Sequence, residues 1–286
     1  MKRWGVCLGI ACAIGALLFT AARLAGQSEE EQPSYLSAEA CAGCHEDLAK
    51  EWETHPHARF LMAAGREVEG KGCEECHGPG SNHAAGDIKA IRNPAKMKPA
   101  EEAALCLRCH RRDFPAQDWH AAAHGRARIA CSKCHDVHHP PKGSKMLRQP
   151  VPDLCFSCHP QQRGQFRQNA HHPVLEGRLS CLDCHDPHRP PTRSLLADDT
   201  CTQCHAEKAG PFTYAHDVAL GDTTEGCLAC HRSHGSPHPQ LLRLAGRGLC
   251  QQCHLDKITH NPGGRCWQSG CHVDFHGSHR DPRFLR

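Results

Sequence analysis

Cys41-Ala42-Gly43-Cys44-His45 is the stretch on which the fold turns, because the chain repeats it. The Cys-x-x-Cys-His spacing returns at Cys73/Cys76/His77, Cys106/Cys109/His110, Cys131/Cys134/His135, Cys155/Cys158/His159, Cys181/Cys184/His185, Cys201/Cys204/His205, Cys227/Cys230/His231 and Cys250/Cys253/His254. A tenth, stretched copy is Cys266-Trp267-Gln268-Ser269-Gly270-Cys271-His272. This is the attachment signature of haem c. Two thiols form thioethers to the porphyrin, and the adjacent His is placed under the ring as an iron ligand. The ten copies use 20 of the 22 cysteines; Cys7 and Cys12 lie in the N-terminal stretch, so no cysteine is left for a disulfide.

Zinc and redox readings explain this pattern less well. A zinc site pairs two Cys-x-x-Cys hairpins, or one hairpin with a distant pair of histidines. It does not need a His beside every second cysteine. A thioredoxin-type dithiol occurs once, on a βαβ pattern, and no such pattern is present. The stretched copy has a disulfide as its alternative, but His272 follows Cys271 as the haem signature requires.

Composition then says what can fill the interior. Aromatic residues make up only 5%, and 45 of the 286 residues are Gly or Pro. So polar a chain cannot build an ordinary apolar core and would lean towards disorder. Ten haem c groups change that, because each presents apolar faces for the chain to wrap, in the way that metals or disulfides staple other small scaffolds. The expected fold is that of a multihaem cytochrome c: short α-helices and irregular chain wrapped around a linear haem stack, with essentially no β-sheet.

Residues 1–26 read as a secretory signal peptide. Lys2 and Arg3 precede an uncharged apolar run from Trp4 to Thr20, and small residues follow at Ala21, Ala22, Ala25 and Gly26. A retained anchor is the alternative, since the run is about the shortest that spans a bilayer at roughly 17–25 residues. Export together with haem c places the protein in the periplasm. Without Lys2, Arg3 and Arg23 the 34 basic residues become 31, against 31 acidic ones. The haem propionates make the loaded protein acidic, and no basic run is interleaved with aromatics, so nucleic acid is excluded as a partner.

Along the chain, Ser37 suits the N-cap of a helix running through Cys41 towards Trp52. Pro99 suits a first helical turn leading to His110. Asp153 is expected to cap Leu154 to His159, and Asp198 or Asp199 the turn into Cys201. Pro140-Pro141 and Pro190-Pro191 end their segments. Apolar alternation never reaches five residues, so strands of useful length are not expected. First-cysteine intervals of 32, 33, 25, 24, 26, 20, 26, 23 and 16 residues form a quasi-repeat, which implies a one-dimensional stack. The ten motifs divide into two pentahaem halves, residues 27–168 and 169–286. The longest motif-free stretch, Gly78 to Leu105, is expected to be a surface insertion.

The second axial position separates a wire from a catalyst, because a second protein ligand closes the iron to substrate. Of 26 histidines, ten belong to motifs and 16 remain; four methionines cannot serve ten irons. A His recurs three residues after the motif His at His138, His188 and His234, too close to bend back onto its own iron and better placed for a neighbouring haem. Another class precedes a motif, at His124, His172 and His216. The expected ten second ligands are His57, His83, His124, His138, His172, His188, His216, His234, His260 and His276, with His279 in reserve for His260 or His276. His55, His120, His139, His171 and His238 are the expected bystanders.

Several stretches carry a family resemblance. They are Cys-His-Ala-Glu-Lys-x-Gly-Pro at 204–211 followed by His216, Cys-His-x-x-His-Gly-Ser at 230–236, and Leu249-Cys250-Gln251-Gln252-Cys253-His254. The ending His276-Gly277-Ser278 and Cys73-Glu74-x-Cys76-His77-Gly78-Pro79 with His83 belong to the same set. With these the chain resembles the periplasmic decahaem cytochromes of the MtrA/DmsE type, motif by motif along the whole mature chain. The resemblance implies an electron-transfer protein made of two pentahaem halves with bis-histidine haems. It implies a seat inside an outer-membrane β-barrel porin and exchange of electrons with periplasmic and cell-surface cytochromes. One departure stands out: the family's tenth site is Cys-x-x-Cys-His, and here it is Cys266-x4-Cys271-His272. The alternatives are a soluble periplasmic carrier feeding a terminal reductase, and a multihaem oxidoreductase. The second lacks support, since no motif replaces its His by Lys and only Tyr35 and Tyr214 exist to crosslink a haem.

Overall fold

The computed structural model describes residues 32–63, 72–139, 145–190, 199–216, 226–267 and 271–285. The expected signal peptide, Pro140, Pro141, Pro191 and Asp198 lie outside the described residues. The chain forms two compact units, one up to Arg92 and one from Asn93. Their boundary falls within the motif-free stretch read as an insertion. The expected line at 168/169 lies inside the second unit.

In the first unit Ser37 is the N-cap of Ala38–Ala42, its Oγ accepting from the Ala40 N–H. The helix does not run on to Trp52 as expected; a second helix, Glu46–Glu53, starts afresh. The motif causes the break. The N–H groups of Cys44 and His45 both return to the Cys41 carbonyl, at 3.2 and 3.0 Å, and His45 leaves helical geometry at φ −113° and ψ 48°. A short helix Pro56–Leu61 follows, with His55 Nδ1 accepting from the His57 N–H. Glu74, 2% exposed, then ties this unit together. Its carboxylate accepts from the N–H of Leu36 at 2.9 Å and of Gly80 at 2.8 Å.

The second unit opens with Pro99–His110, a twelve-residue helix with Pro in its first turn as expected. Elsewhere its helices are one or two turns long. Asp153 does not cap one of them: it is the first residue of Asp153–Phe156, whose cap is Pro152. Asp199 likewise opens Asp199–Thr202 rather than preceding it. Among the described residues this unit's two apolar clusters are small and lie beside motif cysteines. Ala103, Leu107 and Trp119 pack with Phe114 and Cys131, while Phe156, Phe166 and Val174 pack with Leu179 and Cys181. Such clusters are far too small to hold a chain of this length, which fits an interior supplied by cofactors.

The only strands among the described residues are four of two residues each: β1 (Ala170–His171), β2 (Tyr214–Ala215), β3 (Gly235–Ser236) and β4 (Gly277–Ser278). They form two antiparallel pairs, β1 with β3 and β2 with β4. Each ladder sits directly against candidate ligands. β1 ends at the residue before His172 and β2 at the residue before His216, while β3 starts after His234 and β4 after His276. The His-Gly-Ser sequence explains both ladders. A Cβ on Gly235 would run into the Gln165 carbonyl, and one on Gly277 into the Phe212 ring. The serines that follow are buried: Ser236 Oγ donates to the Leu242 carbonyl at 2.5 Å, and Ser278 Oγ accepts from the N–H of Arg280 and Asp281.

Candidate haem-binding sites

Each motif closes one turn, with the His N–H donating to the first cysteine's carbonyl. The distances are 2.9–3.0 Å at His45, His77, His135, His159, His185, His205, His231 and His254. The stretched copy makes the same bond: His272 N–H donates to the Cys266 carbonyl at 3.1 Å. Its two additional residues therefore leave the first cysteine and the motif His in the relation the other sites have.

The two thiols of a motif do not share one environment, although the sequence treats them as equivalent attachment points. The first cysteines are half-buried, whereas Cys44, Cys76, Cys109, Cys158, Cys184, Cys204 and Cys253 are exposed. For Cys109 and Cys204 the exposure has a local reason. On Pro99–His110 the inward face is taken by Ala103 and Leu107. Cys109, two residues after Leu107, is turned about 200° from it at about 100° per residue. Cys204 comes after the end of Asp199–Thr202, beyond the turn that half-buries Cys201. Access is what a thiol needs in order to react, so both keep the attachment role as part of the proposal below.

Three of the motif imidazoles are oriented alike. Nδ1–H donates to a backbone carbonyl 9–15 residues downstream: His77 to Arg92 at 2.7 Å, His231 to Gln240 at 2.8 Å and His272 to Arg283 at 2.5 Å. His110 uses a carboxylate instead, with Asp113 Oδ2 at 2.6 Å. A carbonyl can only accept, so Nδ1 carries the proton and Nε2 presents a lone pair to a metal. Outer partners of this kind fix ligand orientation at metal sites.

Eight motif histidines face a second His. Ring centroids are 6.3 Å apart for His45 and His83, 6.0 Å for His135 and His188, 6.1 Å for His159 and His124, and 6.0 Å for His185 and His234. They are 6.4 Å for His205 and His172, 6.2 Å for His231 and His276, 6.3 Å for His254 and His216, and 6.4 Å for His272 and His260. Two metal–nitrogen bonds of about 2 Å, with about 1.1 Å from each nitrogen to its ring centre, separate trans imidazoles by about 6.3 Å. The pairs therefore fit one iron between two imidazoles, and they do not fit a zinc knuckle. Among the described residues no group of three or more His, Cys, Asp or Glu converges on a metal position.

The pairing follows a two-motif period. A His trailing an even-numbered motif faces the motif His of the previous even one: His188 faces His135, His234 faces His185, and His276 faces His231. A His leading an even motif faces the motif His of the next odd one, as His124 with His159, His172 with His205 and His216 with His254. The sequence expectation of a neighbouring haem is refined here: in chain order the trailing His skips one motif.

The residue before each trailing His has a role that sequence reasoning missed. Its carbonyl accepts from the leading His: Pro187 from His124 at 3.4 Å, Ser233 from His172 at 2.6 Å and Phe275 from His216 at 2.8 Å. One dipeptide thus places a ring at one site and orients the ligand of another. Phenylalanines brace the same rings, Phe114 against His188 at 4.7 Å, Phe166 against His234 at 5.2 Å and Phe284 against His216 at 5.3 Å. A recurring Leu-Arg was missed as well. Arg148 Nε donates to the Ser132 carbonyl and Arg243 Nη1 to the Leu228 carbonyl, each one residue after a first cysteine.

Burial favours the neutral form, the form a metal ligand needs, at four of the facing imidazoles. It lowers His135, His188 and His234, and takes His276 down to about 4, with Lys208 and His231 adding to the effect. The thiols feel one another. Burial and then Cys73 raise Cys41 to about 11, burial and then Cys181 raise Cys155 to about 11, and burial and then Cys266 raise Cys250 to about 12. Second cysteines approach across the alternate junctions. After burial, Cys158 raises Cys134 and Cys253 raises Cys230. Cys184 is raised by burial, then by Cys201 and Asp183, with Cys204 also contributing. The first and second, fifth and sixth, and ninth and tenth motifs thus approach through their first cysteines, and the fourth and fifth and the eighth and ninth through their second.

His171 and His279 lie outside these pairs. His171 contacts the Gln168 carbonyl and Glu176, and His279 Nδ1 accepts from the Thr213 N–H beside Phe212.

Known proteins carry the same pattern. The family described as the doubled CXXCH motif matches residues 120–164, 171–210 and 221–259, each match holding one even and one odd motif, the same two-motif period. The Multiheme cytochrome MtrA of Shewanella baltica (strain OS185) is 29% identical over 266 residues, covering 84% of this chain and 78% of that protein. The chain is a multihaem c-type cytochrome, an electron-transfer protein rather than an enzyme. Within that class it is MtrA-like.

Proposed function

We propose that the chain binds ten haem c groups, each iron held by a motif His and a second His, and that it conducts electrons across the outer membrane inside a β-barrel porin. The observation that carries the ligation is the set of His–His separations of 6.0–6.4 Å. His57 and His138 are left for His77 and His110. When bound, the haems supply one-electron ferric/ferrous chemistry, and dual His ligation favours low potentials relative to Met ligation. The chain does the rest. Its motif turns fix attachment, its carbonyls fix the imidazole tautomers, and its second histidines close the irons to substrate. Where motif cysteines approach one another, as Cys41 and Cys73, Cys134 and Cys158, Cys155 and Cys181, Cys230 and Cys253, and Cys250 and Cys266 do, successive sites lie close enough for electrons to pass.

The grouping into two pentahaem halves, 27–168 and 169–286, the periplasmic address and the porin partner belong to the same proposal, supported by the likeness to MtrA and the export signal. Intact mass of the exported protein tests the haem count, since ten haems add about 6 kDa. Co-purification tests the wire: a barrel protein isolated with the cytochrome supports it. A cytochrome recovered alone from the soluble periplasmic fraction overturns it in favour of a carrier.

A further inference from the structure

We propose that Arg247 is the positioning residue for the tenth site, shaping the chain from Lys257 to Gly264 so that His260 faces His272. The inference rests on the bis-histidine reading above. Four other second ligands, His172, His216, His234 and His276, lie next to a strand ladder that holds them in place. His260 is in a loop between the ninth and tenth motifs, where the backbone bonds are local turns: Lys257 N–H to His254, His260 N–H to Lys257 and Gly264 N–H to Asn261. Such turns do not fix a loop against the rest of the chain.

A single guanidinium does so. Arg247 opens the helix Arg247–Gln251 that carries Cys250 of the ninth motif, and it reaches across into the loop. Nη1 donates to the carbonyls of His260 at 3.0 Å, Gly264 at 3.4 Å and Asn261, and Nη2 to those of Ile258 at 2.8 Å and Lys257 at 3.4 Å. The loop curls around the side chain, and Asn261 is held at a φ of 46°, where a non-glycine residue needs outside support. The planar fork is what the arc of carbonyls requires; a lysine ammonium is a point charge and cannot span it. His260 and His272 then lie 6.4 Å apart. Arg247 thereby couples the ligation of the stretched site to the helix of the ninth one.

The test uses the haem-loaded full chain, with Arg247→Ala, Arg247→Lys and His260→Ala read by electron paramagnetic resonance and carbon monoxide binding. His260→Ala is expected to turn about one haem in ten high-spin and open to carbon monoxide. Arg247→Ala is expected to do the same in most molecules and Arg247→Lys in a smaller share. If His260→Ala stays wholly low-spin, the bis-histidine reading of this site is overturned. If His260→Ala changes and both Arg247 variants stay low-spin and inert to carbon monoxide, the positioning role is overturned, whatever their melting temperatures. Should Arg247→Ala fail to accumulate, Arg247→Lys decides by the same readout.

Discussion

The imidazoles of His135 and His188 face each other with centroids 6.0 Å apart and planes 21° apart, although 53 residues separate them in the chain. Phe114 stacks on His188 at 4.7 Å and 14°, and the Asp186 side chain accepts from the His188 N–H at 2.9 Å. Phe114 thus braces the ring while Asp186 holds the backbone that carries it. Replacing His188 by Ala should leave one haem five-coordinate, seen as a new high-spin signal and carbon monoxide binding at about one haem in ten. His188→Met should keep it low-spin but raise its potential, because Met ligation raises haem potentials. A potentiometric titration in which His188→Met reproduces the wild-type curve would show that His188 is not a ligand.

Ring orientation divides the eight pairs into two groups. The planes of His45/His83, His231/His276, His254/His216 and His135/His188 lie at 10°, 10°, 17° and 21°. Those of His205/His172, His185/His234, His272/His260 and His159/His124 lie at 46°, 53°, 59° and 64°. Axial ligand planes set the electronic anisotropy of a low-spin iron, which is one of the protein's levers on a haem. The oxidised protein should therefore give two classes of low-spin resonance of similar weight, and a single homogeneous class would contradict the geometry.

Glu102 is 3% exposed and accepts from the Ser132 N–H at 2.7 Å and the Ser132 hydroxyl at 3.2 Å. It joins the helix of the third motif to the fourth motif, as Glu74 joins the second motif to Leu36 and Gly80. Glu102→Ala leaves the Ser132 amide without its acceptor, at a cost of about 1–3 kcal/mol. Hydrogen exchange at Ser132 should accelerate about tenfold or more, while Glu102→Gln, which keeps a carbonyl acceptor, should lose less. Unchanged exchange in the Ala variant would mean that the carboxylate does not hold this junction.

His171 provides a pH-dependent control outside the ligand set. The Gln168 carbonyl and then Glu176 raise its pKa, and His171 lowers that of Glu176. A raised imidazole stabilises below its unfolded value and loses this as pH rises through the folded one. A depressed carboxylate stabilises above its unfolded value and loses this as pH falls through the folded one. The pair therefore stabilises only between those limits, and weakly, because it is exposed. His171→Ala should lower the melting temperature slightly in that window, not at about pH 9, and should leave the haem spectrum unchanged. A new high-spin signal would place His171 among the ligands.

The haem-attachment motif was legible because covalent chemistry fixes residue type and spacing together, and the lack of long strands among the described residues followed from the absence of alternation. Spacing says nothing of exposure, however, so the difference between half-buried Cys106 and exposed Cys109 could not be read from it. Second ligands were harder. His188 and His234 could be recognised as candidates, but the ladders beside such residues are two residues long, too short to leave a period in the sequence. The His-Gly-Ser run after His234 and His276 is the trace those ladders do leave. The break after Cys41 was missed because helix periodicity at Leu48 and Trp52 says nothing about a thiol turn closing onto a carbonyl. Asp153 failed as a cap for a local reason: Pro152 already occupied the cap position.

The stretched site keeps the bonds of its standard counterparts, and those bonds say what to expect of it. His272 has its bond to the Cys266 carbonyl at 3.1 Å, the Nδ1 bond to the Arg283 carbonyl at 2.5 Å, and His260 opposite at 6.4 Å. Cys266 also lies against Cys250, as first cysteines do at other junctions. These are the relations of a loaded site, so Cys266→Ala/Cys271→Ala should lose about 0.6 kDa of intact mass, one haem, relative to wild type. Deleting Ser269 and Gly270, which restores Cys-x-x-Cys-His, should leave the haem count and the low-spin spectrum as they are. An unchanged mass in the double Ala variant would mean that the tenth site is empty and that the wire ends at His254.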